Sequence, residues 1–276
     1  MTEQAAIQAA WTEIAPGYDD YVTPSNMALA ERALQRAGLR PDMRVLDVAA
    51  GSGGLSIPAA RAGAQVLATD ISPAMVERLE TRAREEGLSN LAARVMDGHA
   101  LDLEDDTFDV AASQFGVMLF PDLPRGLGEM ARVTKPDGRV VLVTMGPPSE
   151  VEFLGFFVDA VKTADPDFEG LPMDPPPLPF QVSDPETLRE KLADAGLTDI
   201  RVERANHRLE FNSGRQMWDW VTSSNPIGAG MVADLTDEQK ATAQKALDDD
   251  LRERSGERLR RVEQLGEHRN RDEVRE

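Results

Sequence analysis

The sequence predicts an α/β fold, a doubly wound and mostly parallel sheet with helices on both faces, and three observations carry that expectation. Between Met43 and Met145, short apolar runs of strand length alternate with helical ones, the pattern of strands that each need a crossover helix to return in parallel. The first run, Val45-Leu46-Asp47-Val48, breaks into Ala49-Ala50-Gly51-Ser52-Gly53-Gly54, so a buried strand turns tightly into a helix. The second, Val66-Leu67-Ala68-Thr69, ends in Asp70, about twenty residues on, where an acidic side chain can meet a ribose bound over the first turn.

Residues 1–40 are expected to form a helical cap over the cleft: Trp11 to Tyr21 leads into a stretch from Asn26 to Ala37 with apolar residues at helical spacing and Gly38 as its stop. Residues 41–146 make the nucleoside-binding core. Ser72 caps a helix that Pro73 opens and Gly87 closes. Residues 108–115 supply a fourth strand and 139–145 a fifth. Residues 147–182 carry Phe153, Phe156 and Phe157 on a helical stretch, then six prolines between Pro166 and Pro179, and are expected to form a lid. A helix restarts at the capping box Ser183-Asp184-Pro185-Glu186 and stops at Gly196. The strand-like runs 198–203 and 207–211 then predict an antiparallel hairpin that completes the sheet within residues 183–212. Residues 213–251 form a helical addition, and 252–276 a charged, flexible tail.

The glycine turn admits a nucleoside, and its neighbours narrow the choice. A dinucleotide fingerprint needs a third glycine where Ser56 stands, and no Lys-Ser or Lys-Thr pair follows to make a phosphate-cradling loop. Asp47 would repel a pyrophosphate and favour a cation. S-adenosyl-L-methionine, with an ammonium, a sulfonium and a ribose but no phosphate, suits a site with two carboxylates.

The run Asp47 to Gly53 resembles the glycine-rich first motif of class I S-adenosylmethionine-dependent methyltransferases. Thr69-Asp70-Ile71-Ser72-Pro73-Ala74-Met75 resembles the second motif, and Asp97-Gly98-His99-Ala100-Leu101 the adenine-edge motif. Residues 108–116 are similar to the central fourth strand, and 129–142 to the helix, turn and fifth strand. The resemblance covers roughly residues 10 to 210 and is nearest to the small-molecule group that includes quinone-biosynthesis methyltransferases. Ala49 departs from it, standing where the family usually has its first glycine, as does Asp137, where a second turn glycine is common. The resemblance implies a Rossmann-like sheet of seven strands with an antiparallel C-terminal hairpin and a helical lid. It implies methyl transfer to carbon, oxygen or nitrogen of a small-molecule acceptor by in-line displacement, with S-adenosyl-L-homocysteine as product.

By the same resemblance Asp47 lies near the methionyl ammonium and Ala49, Gly51 and Gly53 shape the turn. Asp70 takes both ribose hydroxyls, and Ile71 and Met75 sandwich the adenine. Asp97 accepts from the adenine amino group, with backbone N–H groups near Gly98 and His99 meeting the ring nitrogens. Gln114 and Phe115 border the methionyl moiety. Tyr18 and Tyr21 are the candidates for shielding the sulfonium, orienting the acceptor and any catalytic role, and Met118 reaches the acceptor side. His99 falls beside adenine rather than the methyl group, and His207 on a solvated edge strand. A nicotinamide-dependent oxidoreductase would share the topology but lacks its third glycine; a regulatory protein that binds the cofactor without turnover stays open at this point.

With 49 acidic against 30 basic residues, the net charge of −19 opposes a nucleic-acid substrate. The absence of cysteine excludes disulfides, thiolate metal sites and cysteine nucleophiles, and no metal is expected. The longest apolar runs are strand-length, far short of the ~20 residues of a spanning helix, and Met1-Thr2-Glu3-Gln4 lacks a signal peptide's basic start. The expectation is therefore a cytoplasmic monomer or homodimer whose partner is a small molecule.

Overall fold

The computed structural model describes residues 3–172, 174–255 and 261–263. The chain runs from α1 (Glu3–Gly17) through a π-helical turn (Tyr18–Val22) and α2 (Thr23–Arg36) into β1 (Arg44–Val48), α3 (Ser56–Arg61), β2 (Gln65–Asp70), α4 (Pro73–Glu85) and β3 (Leu91–Val95). β4 (Phe108–Gln114), α5 (Leu123–Val133) and β5 (Thr134–Val143) follow. These strands form one parallel five-stranded sheet in the order β3-β2-β1-β4-β5. Val45 on β1 sits between Val66 and Val110.

Alternation along each strand feeds two cores. Val45, Val66 and Val110 pack with Ala30 and Leu34 of α2 and Ala59 of α3, while Leu46, Val48 and Ala111 pack with Leu127 and Met130 of α5. That is what the two-residue period of a strand requires when both faces are covered. The order of strands reverses between β1 and β4, which opens a crevice at their carboxyl ends.

Beyond β5 come α6 (Glu152–Ala164), α7 (Pro185–Asp194), β6 (Arg208–Glu210), α8 (Gly214–Ser224), α9 (Pro226–Gly230), α10 (Asp237–Ser255) and β7 (Arg261–Glu263). Phe153 and Phe157 are expected on a lid; instead they fill a second buried cluster with Trp218, Trp220 and Leu247. Their ring centroids lie 5.0 Å from Trp220 and 5.2 Å from Trp218. Four residues apart, the two phenylalanines share a face of α6, and burial against two tryptophans removes more apolar area from water than a solvent-bathed lid would.

The hairpin does not form among the described residues. Residues 198–203 are irregular, with Asp199 at φ +52°, and Ile200 and Val202 pack against the α5 side of the core without joining the ladder. Arg208–Glu210 pairs antiparallel with Arg261–Glu263 in a separate two-stranded sheet, so among the described residues the parallel sheet has five strands rather than the expected seven. Of the tail, 252–255 complete α10 and 261–263 form β7; the rest lies outside the described residues. No described helix is long and apolar enough to cross a membrane.

Candidate active site

The carboxyl ends of β1, β2 and β4, roofed by α1, enclose a cavity of about 300 Å³. Its floor is the turn after β1. Ala49 and Gly51 line it, both at φ +55°, and a methyl on Gly51 would meet Cε1 of Tyr18 at 3.0 Å. Gly53 turns away from the cavity at φ +104°, where a Cβ would press on Ile57 at 3.0 Å and Leu79 at 3.2 Å. It shapes the turn by letting it pack on α4. The hydroxyls of Thr23 and Ser52, 2.6 Å apart, pin α2 to the same turn.

Asp70 lines the cavity at the end of β2. One carboxylate oxygen accepts the Gly51 N–H at 2.8 Å and the other the Ser72 N–H at 2.9 Å. Burial pushes its pKa up, while these donors pull it back. Asp47 is placed behind the turn: it is 1% exposed, Ser56 Oγ donates to it at 2.6 Å, and its Oδ1 has no partner. Burial first, and Asp70 nearby, push Asp47 up to about 7, with Ser56 opposing. It does not line the cavity; its carboxylate is held beneath the turn by Ser56.

Ile71, Met75, Gly98 and His99 line the opposite lip together with Asp97. Oδ1 of Asp97 accepts the backbone N–H of His99 at 2.9 Å and lies 2.8 Å from its Nδ1, so the His99 N–H is engaged within the lip and Gly98 supplies the remaining backbone donor. The His99 ring lies on Phe120, with centroids 4.4 Å apart. Gln114 and Phe115 close the far end. Gln114 Nε2 donates to the Asn26 carbonyl at 3.0 Å, and Phe115 sits at φ +57°, a conformation uncommon for a bulky residue and frequent at functional sites.

Tyr18 lines the cavity. Burial, Asp70 and Asp47 all hold its hydroxyl protonated well above the usual tyrosine range. Arg78 and Arg82 on α4 bind Asp19 at 3.4 and 2.5 Å and fix the π-helical turn that carries Tyr18. Tyr21, three residues along that turn, is 38% exposed and points off the cavity. Met118 is 3% exposed, folded into the core by the short helical turn Val117–Leu119. His207 is 4% exposed rather than solvated, and burial, with Arg32 nearby, lowers its pKa to about 4.

The roof contains residues that motif reading missed. Gln4, Ile7 and Trp11 of α1 line the cavity, and Trp11 meets Tyr18 edge-on at 6.2 Å. Phe120 and Arg125, after β4, line it too. The four-residue spacing of Ile7 and Trp11 is a helical stripe, the one signal that could have found them.

A family model described as a methyltransferase domain matches residues 45–138. Nocamycin O-methyltransferase from Saccharothrix syringae is 30% identical over 239 residues, covering 75% of this chain and 83% of that protein. Demethylmenaquinone methyltransferase from Renibacterium salmoninarum is 28% identical over 214 residues, covering 74% and 88%. The crystal structure of YcgJ protein from Bacillus subtilis shares the fold, with a TM-score of 0.55 at 18% identity over 87% of this chain and 94% of that one. The chain spans only 39% of the length of an uncharacterized Mycobacterium tuberculosis protein that it matches at 43% identity over 108 residues. With a methyltransferase domain at the glycine turn and a methyltransferase relative aligned over three quarters of its length, the chain belongs to the S-adenosylmethionine-dependent methyltransferases.

Proposed function

We propose that this chain transfers the methyl group of S-adenosylmethionine to a small, largely apolar or aromatic acceptor. The observation that carries this reading is the Asp70–Gly51 bond. Asp70 occupies the Gly51 N–H, a donor that a pyrophosphate would need at this turn, and puts an acceptor there instead. A ribose diol finds partners at such a site, whereas a phosphate meets a carboxylate.

When bound, S-adenosylmethionine would supply a sulfonium-activated methyl group open to in-line displacement by an electron pair of the acceptor, leaving S-adenosylhomocysteine, with the acceptor's proton released to solvent. The protein's task is then to hold the partners in line and exclude water. Asp70 binds the ribose hydroxyls, Ile71 and Met75 hold the adenine, and Asp97 accepts from its amino group beside the Gly98 N–H. Gln114 and Phe115 border the methionyl end. Asp47 acts from behind the turn, through Ser56 and its field on the methionyl ammonium. Tyr18 keeps its proton, so it shields the sulfonium and orients an acceptor oxygen or nitrogen rather than acting as a base. Ile7 and Trp11 close the roof to water.

The acceptor class rests on the apolar walls, on the net charge of −19 and on the relatives named for nocamycin and demethylmenaquinone. Calorimetry with S-adenosylhomocysteine and NADH, followed by turnover of labelled cofactor on small phenols, quinols and amines, tests the proposal. Binding of S-adenosylhomocysteine but not NADH, with turnover on that panel, is expected. Tighter binding of NADH, or methylation of tRNA or protein with none on the panel, would refute it.

A further inference from the structure

We propose that Gln4 reads the base of the cofactor as a second acceptor, beside Asp97, for the exocyclic amino group of adenine. The inference rests on the cofactor reading above. Gln4, Gln8 and Thr12 stand four residues apart on α1 and therefore share one face. Gln4 Nε2 donates to Asp97 Oδ2 at 2.8 Å, Gln8 Nε2 to the Ile71 carbonyl at 2.8 Å, and the Thr12 hydroxyl lies 2.9 Å from Ser72 Oγ. Three contacts thus set α1 down along one lip of the cavity, and the position of Gln4 does not depend on its own bond alone.

Gln4 lines the cavity, and chemistry fixes which way its amide points. A carboxylate only accepts, so the amide must turn its NH₂ to Asp97, and the carbonyl oxygen is the acceptor Gln4 has left. Oδ1 of Asp97 is already taken by the N–H and Nδ1 of His99. A ligand donor therefore arrives at Oδ2, next to the Gln4 amide. A 6-amino group carries two protons and can give one to Asp97 Oδ2 and the other to the Gln4 carbonyl. A 6-oxo purine would instead turn an acceptor toward two acceptors and leave them unpaired, which is the more costly mismatch.

Calorimetry on the full chain with S-adenosylhomocysteine and its deaminated analogue S-inosylhomocysteine tests this in wild type, Gln4→Met and Gln8→Met. Gln4→Met is expected to weaken S-adenosylhomocysteine about three- to tenfold and to leave the inosine analogue within about twofold, as for one neutral hydrogen bond. Gln8→Met loosens the same helix at the Ile71 carbonyl and is expected to weaken both ligands by the same factor. An equal loss for both ligands in Gln4→Met, or no loss for either, would overturn the inference while leaving the proposed function standing. A wild-type chain that binds neither ligand would overturn the proposed function and this inference with it.

Discussion

A Cβ on Gly116 would stand 2.6 Å from the Cβ of Ala49 and 2.9 Å from its carbonyl oxygen. The turns after β1 and β4 close on each other at this point, and there is room for only one side chain. Ala49 supplies it at φ +55°, a conformation that costs an alanine about 1–2 kcal/mol.

Ala49→Gly is therefore expected to stabilise the chain by about 0.5–1 kcal/mol, the released strain being partly offset by the freer unfolded glycine. Gly116→Ala should destabilise it by about 1–3 kcal/mol through overpacking. In the double variant part of that loss should return, because one of the two clashing Cβ atoms is gone. Urea denaturation of the four proteins measures the coupling; strictly additive changes would show that the two turns do not touch.

Asp70→Ala is expected to weaken S-adenosylhomocysteine about ten- to a hundredfold, the loss of charged hydrogen bonds worth about 1.5–3 kcal/mol. It should also lower the melting temperature, since Gly51 and Ser72 lose their acceptor. Asp70→Asn, which keeps one acceptor, should fall between. Unchanged affinity by calorimetry would remove Asp70 from the site.

The pH dependence of stability should carry the signature of Asp47. Its folded pKa is raised to about 7, against ~3.9 in an unfolded chain. Between those values the folded protein holds a proton that the unfolded one has released. Its stabilising contribution is thus complete below about pH 4 and declines by up to ~1.4 kcal/mol per unit as pH rises through the folded pKa, then levels. Asp47→Asn cannot titrate there, so its urea midpoint should fall less than that of wild type between about pH 4.5 and 8. Parallel slopes would contradict the buried, part-unpaired placement.

Phe157→Ala should cost about 3–5 kcal/mol, the range for deleting a fully buried aromatic ring. None of the described residues from 147 to 182 lines the cavity, so the folded fraction should keep its affinity for S-adenosylhomocysteine. A variant with wild-type stability and lost cofactor binding would restore α6 to a place over the site.

Val45 to Gly54 and Val66 to Met75 were legible in the sequence because each expresses a local rule. An apolar run, a glycine that takes left-handed backbone without strain and a helix cap dictate a strand-turn-helix whatever surrounds them. The parallel sheet followed from such units repeating in series, and the family resemblance implied the gathering of Gly51, Asp70, Ile71, Met75 and Asp97 that the cavity shows. What the tertiary structure decided depended on partners far apart in the chain. Phe157 has the same helical spacing whether it covers a ligand or packs on Trp218, some sixty residues later, and burial chose the second. The pattern of 198–203 marks two residues for burial but names no ladder partner, and Arg208–Glu210 found its partner at 261–263. Gln4 and Trp11 look like ordinary surface and core positions of a helix until α1 is laid across the lip. Local patterns specify backbone conformation, whereas the choice among burial partners is made by the area each removes from water, and that area exists only once the chain has folded.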